Sequence, residues 1–294
     1  METNNSRQAA WVAMGSLFSF GFSIVSSMIL SRYFDKADYG TYKQVMYVYN
    51  TLLTVFTLGL PKAYSYFLPR VNPQEAKDLI NKITRLFFLL GGVFSILLFL
   101  GASLIAQFLK NPDLEIALRY FSLVPFLMLP TMGLEGILST YKKTKFLAGY
   151  TITTRLFMLC CVALPVMIFN LDYIGAIIGF VIASIFSAFL ALYLKVYPVR
   201  NNIKNRTQTS YKEIFQFSLP LMYASLWGVL MSSADQFFIS RFFGLEVFAD
   251  FSNGSMELPF VSPGGLLIVL TPARKGSDPP HLVIIVYSVD YQGI

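Results

Sequence analysis

Charge is the scarcest property of this chain. Only 13% of its 294 residues are Asp, Glu, Lys or Arg, against roughly a quarter in an ordinary soluble domain. A water-soluble fold so poor in charge would expose wide apolar patches and aggregate. With 55% of its residues apolar or aromatic and a mean hydropathy of +0.58, the chain suits lipid as its solvent. Histidine is nearly absent, the single one being His281. Cysteine is limited to Cys160 and Cys161, adjacent and inside an apolar run, which implies no disulfide framework. No metal-ligand spacing, nucleophile triad, phosphate-binding loop or dinucleotide fingerprint occurs. The reading is therefore of a protein with no metal, no cofactor and no enzymatic activity.

Long apolar runs are what is there. A helix needs about 20 residues to cross a hydrocarbon core of ~30 Å. Residues 8–31, 86–109, 173–194 and 214–234 carry no charge at all. Three further runs complete a set of seven: 45–61, 120–138 with Pro125, Pro130 and Glu135, and 146–171 with Arg155. The first run is too long for the ~7–15 residue core of a signal peptide and is read as a permanent helix. With seven crossings, the side of the N-terminus collects 14 Lys and Arg, mostly in 62–85, 142–145 and 195–212, against six opposite. The positive-inside rule puts the N-terminus in the cytoplasm. The net charge of +7 is on this reading a topology signal, so no nucleic acid is expected as a partner.

One phrase is written twice. LSRYFDKADYGTY at 30–42 and ISRFFGLEVFADF at 239–251 align at an offset of 209, with Ser31/Ser240, Arg32/Arg241 and Phe34/Phe243 identical. Tyr39/Phe248 and Gly40/Ala249 are among the near-isosteric pairs. Each copy follows the exit of a helix from the membrane, and six helices separate them. That even number gives both copies the same orientation, as in a parallel internal repeat.

ILSRYFDKADYGTYKQ, FSLPLMYASLWGVLMSSADQFFISRFFG and FADFSNGSMELPF resemble the polysaccharide biosynthesis, or O-antigen type oligosaccharide flippase, family. That family sits in the multidrug/oligosaccharidyl-lipid/polysaccharide exporter superfamily. The resemblance covers about residues 8–260. It implies an all-α polytopic membrane fold of MATE type, with two six-helix bundles around a central cavity. It also implies movement of undecaprenyl-diphosphate-linked repeat units across the inner membrane by alternating access, in O-antigen, lipopolysaccharide or capsule synthesis. The lipid bilayer, that lipid-linked substrate, and the polymerase and glycosyltransferases of the pathway are the partners it implies. Here the N-terminal six-helix bundle would occupy 1–200, and 201–261 would begin a second bundle. LLIVL and HLVIIVYSV in 262–294 are too short to span, and Pro/Gly clusters surround them. This tail is read as atypical and non-native, leaving an incomplete copy of the transporter.

Charges inside spans are costly and point to function. Arg155 offers a guanidinium fork for a diphosphate or snorkels to headgroups. Lys62, in GLPKAY, stands where a helix break would let a cation meet phosphate. Glu135 is an ion-coupling acid, the partner of a Lys or Arg on the neighbouring helix, or a membrane-edge residue near Lys142 and Lys143. Asp235 has Ser26 as its counterpart in the first copy, and either couples an ion or pairs with Arg241. A MATE-like drug exporter is the alternative transporter, expected to have an acidic or apolar cavity. A membrane glycosyltransferase or polymerase would need a long loop with catalytic carboxylates, and the longest loop, after helix two, is mainly basic.

Overall fold

The computed structural model describes residues 2–202, 205–255, 267–270 and 282–285. Eleven helices dominate the described residues, and six stretches are long and apolar enough to cross a membrane. Helix α1 (Glu2–Tyr33) lies along α8 (Thr144–Phe169), and α8 along α9 (Tyr173–Val196). Helices α4 (Pro73–Phe108) and α10 (Tyr211–Phe242) are the other long ones. The chain is a multi-pass, all-α membrane protein. Two four-residue strands, β1 (Leu267–Leu270) and β2 (Leu282–Ile285), pair antiparallel within the two short apolar runs of the tail. The remainder of 262–294 lies outside the described residues.

The second and fourth spans are broken. In the second, α2 (Lys36–Thr57) stops at Leu58 and Gly59, both left-handed at φ 49° and 68°, and α3 (Leu60–Phe67) restarts with Pro61 in its first turn. The fourth is made of α5 (Asp113–Phe121), α6 (Leu123–Met128), a 3₁₀ turn Leu129–Thr131 and α7 (Leu134–Thr140). Pro125 and Pro130 remove backbone donors there, and Gly133 at φ 75° turns the chain. The second span falls outside the six apolar stretches, and its buried face mixes Thr41, Gln44 and tyrosines with Val45, Val48 and Leu53.

At ~1.5 Å per residue, the 36 residues of α4 measure about 54 Å, far more than a hydrocarbon core needs. Its first turns project and receive the connection to α10. Asn205 Nδ2 donates to Gln74 Oε1 at 2.7 Å, Thr207 N to Asp78 Oδ2 at 3.1 Å, and Lys82 Nζ to the Thr209 carbonyl at 2.6 Å. The segment between the first six spans and α10 is thereby tied down.

The two copies of the repeated phrase pack on each other. Each forms a helix–turn–helix, α1 into α2 and α10 into α11 (Leu245–Gly254). Asp35 caps the first by accepting from Asp38 N at 2.8 Å, whereas Gly244 at φ 88° makes the second turn without a side-chain cap. Tyr39 and Phe248, equivalent in the repeat, are both buried, as are Gly40 and Ala249. A Cβ on Gly40 would lie 2.5 Å from the Leu245 carbonyl oxygen, so only glycine lets α2 and α11 approach this closely. A buried chain of hydrogen bonds runs beneath: Asn111 Nδ2 to Gln44 Oε1 at 2.7 Å, and Gln44 Nε2 to Ser240 Oγ at 2.8 Å. Ser240 is one of the three identities of the repeat. Its counterpart Ser31 is exposed.

Candidate functional site

The breaks in the second and fourth spans face each other and open a cavity of about 490 Å³, closed on its other sides by α8 and α9. A continuous helix consumes its own carbonyls and presents only side chains. A broken one frees backbone and changes the direction of its walls. Gly133 makes the turn possible: its φ is positive, and a Cβ there would strike the Tyr64 ring. Gly136, one turn on, sits against Ser65 of α3.

Three of the four candidate residues line this cavity: Lys62, Glu135 and Arg155. Lys62, in the first turn of α3, is exposed at the mouth, while Glu135 and Arg155 are half-buried on α7 and α8. Glu135 and Arg155, read from sequence either as functional charges or as residues at the headgroups, thus share one cavity wall. A second cavity of about 360 Å³ lies against α1, lined by Ser16, Ser19 and Ser23, and shares Glu135 and Arg155 with the first. Thr131, Tyr150, Thr151, Thr154 and Ser187 add hydroxyls to the larger space. Two cations, one carboxylate and a set of hydroxyls suit an anion bearing hydroxyl groups: a guanidinium fork fits phosphate oxygens. Among the described residues no cluster of metal-ligating side chains occurs.

Asp235 stands apart. It is exposed on α10, lines neither cavity, and forms no ion pair with Arg241. Lys195, counted from sequence among the basic residues outside the membrane, is instead fully buried at 1% exposure. Its Nζ donates to the Met132 carbonyl at 2.6 Å and to Tyr64 Oη at 3.2 Å, with the Tyr64 and Phe87 rings 4.6 and 5.3 Å away. A signal for this was present in the sequence. Ser184, Ser187, Ala188 and Ala191 mark the face of α9 that packs inward, and Lys195 continues that stripe at helical spacing.

A family model described as "Polysaccharide biosynthesis protein" matches residues 6–268, which runs past the expected boundary at 261. No curated protein matches the chain. A solved structure from Pyrococcus furiosus Vc1 (DSM3638) is similar at a TM-score of 0.63 and 16% identity, over 79% of this chain and 54% of that one. It is described as a MOP superfamily transporter whose reverse polarity of the binding pocket suggests a different function. At this identity the likeness establishes the fold alone. The present chain spans about half the length of that protein.

Proposed function

Because this chain belongs to the polysaccharide biosynthesis protein family, we propose that it acts as a flippase for lipid-linked oligosaccharides. Its substrate on this reading is an undecaprenyl-diphosphate-linked repeat unit, moved across the inner membrane by alternating access. Lys62 meets the diphosphate at the mouth and Arg155 grips it deeper in the cavity. The hydroxyl-lined walls take the sugar. Glu135 and, in the second bundle, Asp235 are the acids available for ion coupling. The N-terminus is cytoplasmic, residues 1–200 form the first bundle, 201–261 begin the second, and only 269–294 lie past the family match. Pathway glycosyltransferases and a polymerase are the partners of such a protein.

The observation that carries this reading is that Lys62 and Arg155, remote in sequence, line one cavity. An exporter of cationic drugs would favour the opposite balance of charge. Pocket polarity is also the property from which a different function was suggested for the Pyrococcus protein.

Calorimetric titration of the purified full chain with geranyl diphosphate, a soluble stand-in, tests the proposal. A hydrogen bond to a charged group is worth ~1.5–3 kcal/mol. Arg155→Lys keeps the charge but loses the fork, so affinity falls about ten-fold or more. Unchanged affinity in Arg155→Lys, or binding of ethidium in place of the diphosphate, overturns the reading.

A further inference from the structure

We infer that Lys195 is a positioning residue, which holds the wall of the cavity formed by Met132–Gly136. The sequence of causes starts at the break. Met132 follows the 3₁₀ turn and precedes left-handed Gly133, so the helical ladder is interrupted at the carbonyl it presents. Its own helix no longer satisfies that carbonyl, and within a bundle embedded in lipid such freed backbone needs a partner from the protein or from cavity water. Lys195 Nζ supplies it at 2.6 Å. The same ammonium donates to Tyr64 Oη, which shares a 2.8 Å hydrogen bond with Thr84 Oγ1 on α4. One cation thus joins α9, the break in the fourth span, α3 and, through Tyr64, α4.

Among the described residues, neither ion pair, Lys36–Asp250 nor Arg119–Glu115, involves Lys195. Its charge is held by the carbonyl dipole, the phenol and the faces of two aromatic rings. For salt bridging alone, a lysine would not need to be threaded between Tyr64 and Phe87. As a strut it has the right reach: a long stem packed in the core, ending at the carbonyl that fixes where Glu135 and Gly136 sit. Lys195 lines neither cavity, so it acts through Met132 and not on a ligand. What the wall binds rests on the proposed function; that the wall is held does not.

The test reads the wall directly. In the full chain with Cys160 and Cys161 changed to Ala, Ser65→Cys and Gly136→Cys place two thiols across the contact of α3 and α7. A Cβ at 136 would lie 2.5 Å from Ser65 Oγ, close enough for a disulfide to form after a small adjustment. A control pair, Gly15→Cys with Ala148→Cys, joins α1 to α8, where the two Cβ positions are 3.6 Å apart. Lys195→Met should slow disulfide formation at 65/136 by about ten-fold or more, the equivalent of one lost charged hydrogen bond, and leave 15/148 within about two-fold. Lys195→Arg, which keeps a cation and donors, should retain a rate at 65/136 within about three-fold of the parent. An unchanged 65/136 rate in Lys195→Met overturns the inference. So does an equal loss at both pairs, which makes Lys195 a general core residue, or an equal loss in Arg and Met, which assigns the effect to packing. A parallel titration with geranyl diphosphate separates the two readings. If the parent fails to bind it while the disulfide rates behave as stated, the functional reading falls and the strut stands.

Discussion

Arg155 and Glu135 were legible as candidates from sequence because each interrupts an apolar run that must cross lipid, and such charges are too costly to keep without a use. Lys195 was not legible in the same way. It follows the apolar run of its helix, where a lysine ordinarily snorkels, and the one local signal is its register on the stripe of Ser184, Ser187, Ala188 and Ala191. Its partners, Tyr64 and Met132, are distant in sequence, so only the assembled bundle reveals what it holds. Gly133 is likewise decided by the fold, through its positive φ and the Tyr64 ring above it. Gly133→Ala should therefore destabilise the chain. The left-handed backbone alone costs ~1–2 kcal/mol, with displacement of the ring in addition. A lower thermal midpoint in detergent than for Gly92→Ala checks this, since a Cβ at Gly92 meets only the Phe126 ring, at an ordinary 3.9 Å. Equal midpoints would remove the strain argument.

At the scale of elements, the helices were readable from length and hydropathy, and two of the three marginal runs are those that turned out broken. Pro125 and Pro130 announced the interruption of the fourth span. The repeat was readable too, but its meaning was not: periodicity says that two segments are alike, and only packing says that they touch. Their contact yields a graded prediction. Gln44 sits at 0% exposure between Asn111 and Ser240, and Gln44→Leu removes the donor to Ser240 and leaves Asn111 Nδ2 with Thr41 Oγ1 alone, at ~1–3 kcal/mol. Lys36 and Asp250 pair at 3.0 Å across the same two helices, but their side chains are 61% and 66% exposed, so Lys36→Ala should leave the thermal midpoint unchanged. Gly40→Val should lower the midpoint most, because the Leu245 carbonyl it meets is backbone and must move with α11. The reverse order, with Lys36→Ala the most damaging, would show that the surface pair and not the buried network holds α2 to α11.

At the scale of the molecule, the membrane-spanning architecture follows from composition, since a chain with so little charge has few other places to go. What composition could not supply was the meeting of the second and fourth spans, whose breaks create the cavity from residues far apart along the chain. The orientation we propose predicts that Lys143→Cys, in a background lacking Cys160 and Cys161, resists a membrane-impermeant thiol reagent added outside intact cells. Strong labelling there would invert the topology. The central claim is narrower: Lys62 and Arg155 act on one bound anion. A double-mutant cycle measures it most directly, using the affinity of the full chain for geranyl diphosphate in the parent, Lys62→Met, Arg155→Met and the double variant. If both cations contact the same diphosphate, their effects are coupled by ~0.5–3 kcal/mol, and the double variant loses less than the product of the single losses. Strict additivity, or loss from one substitution alone, would mean that the cavity does not hold the anion between them.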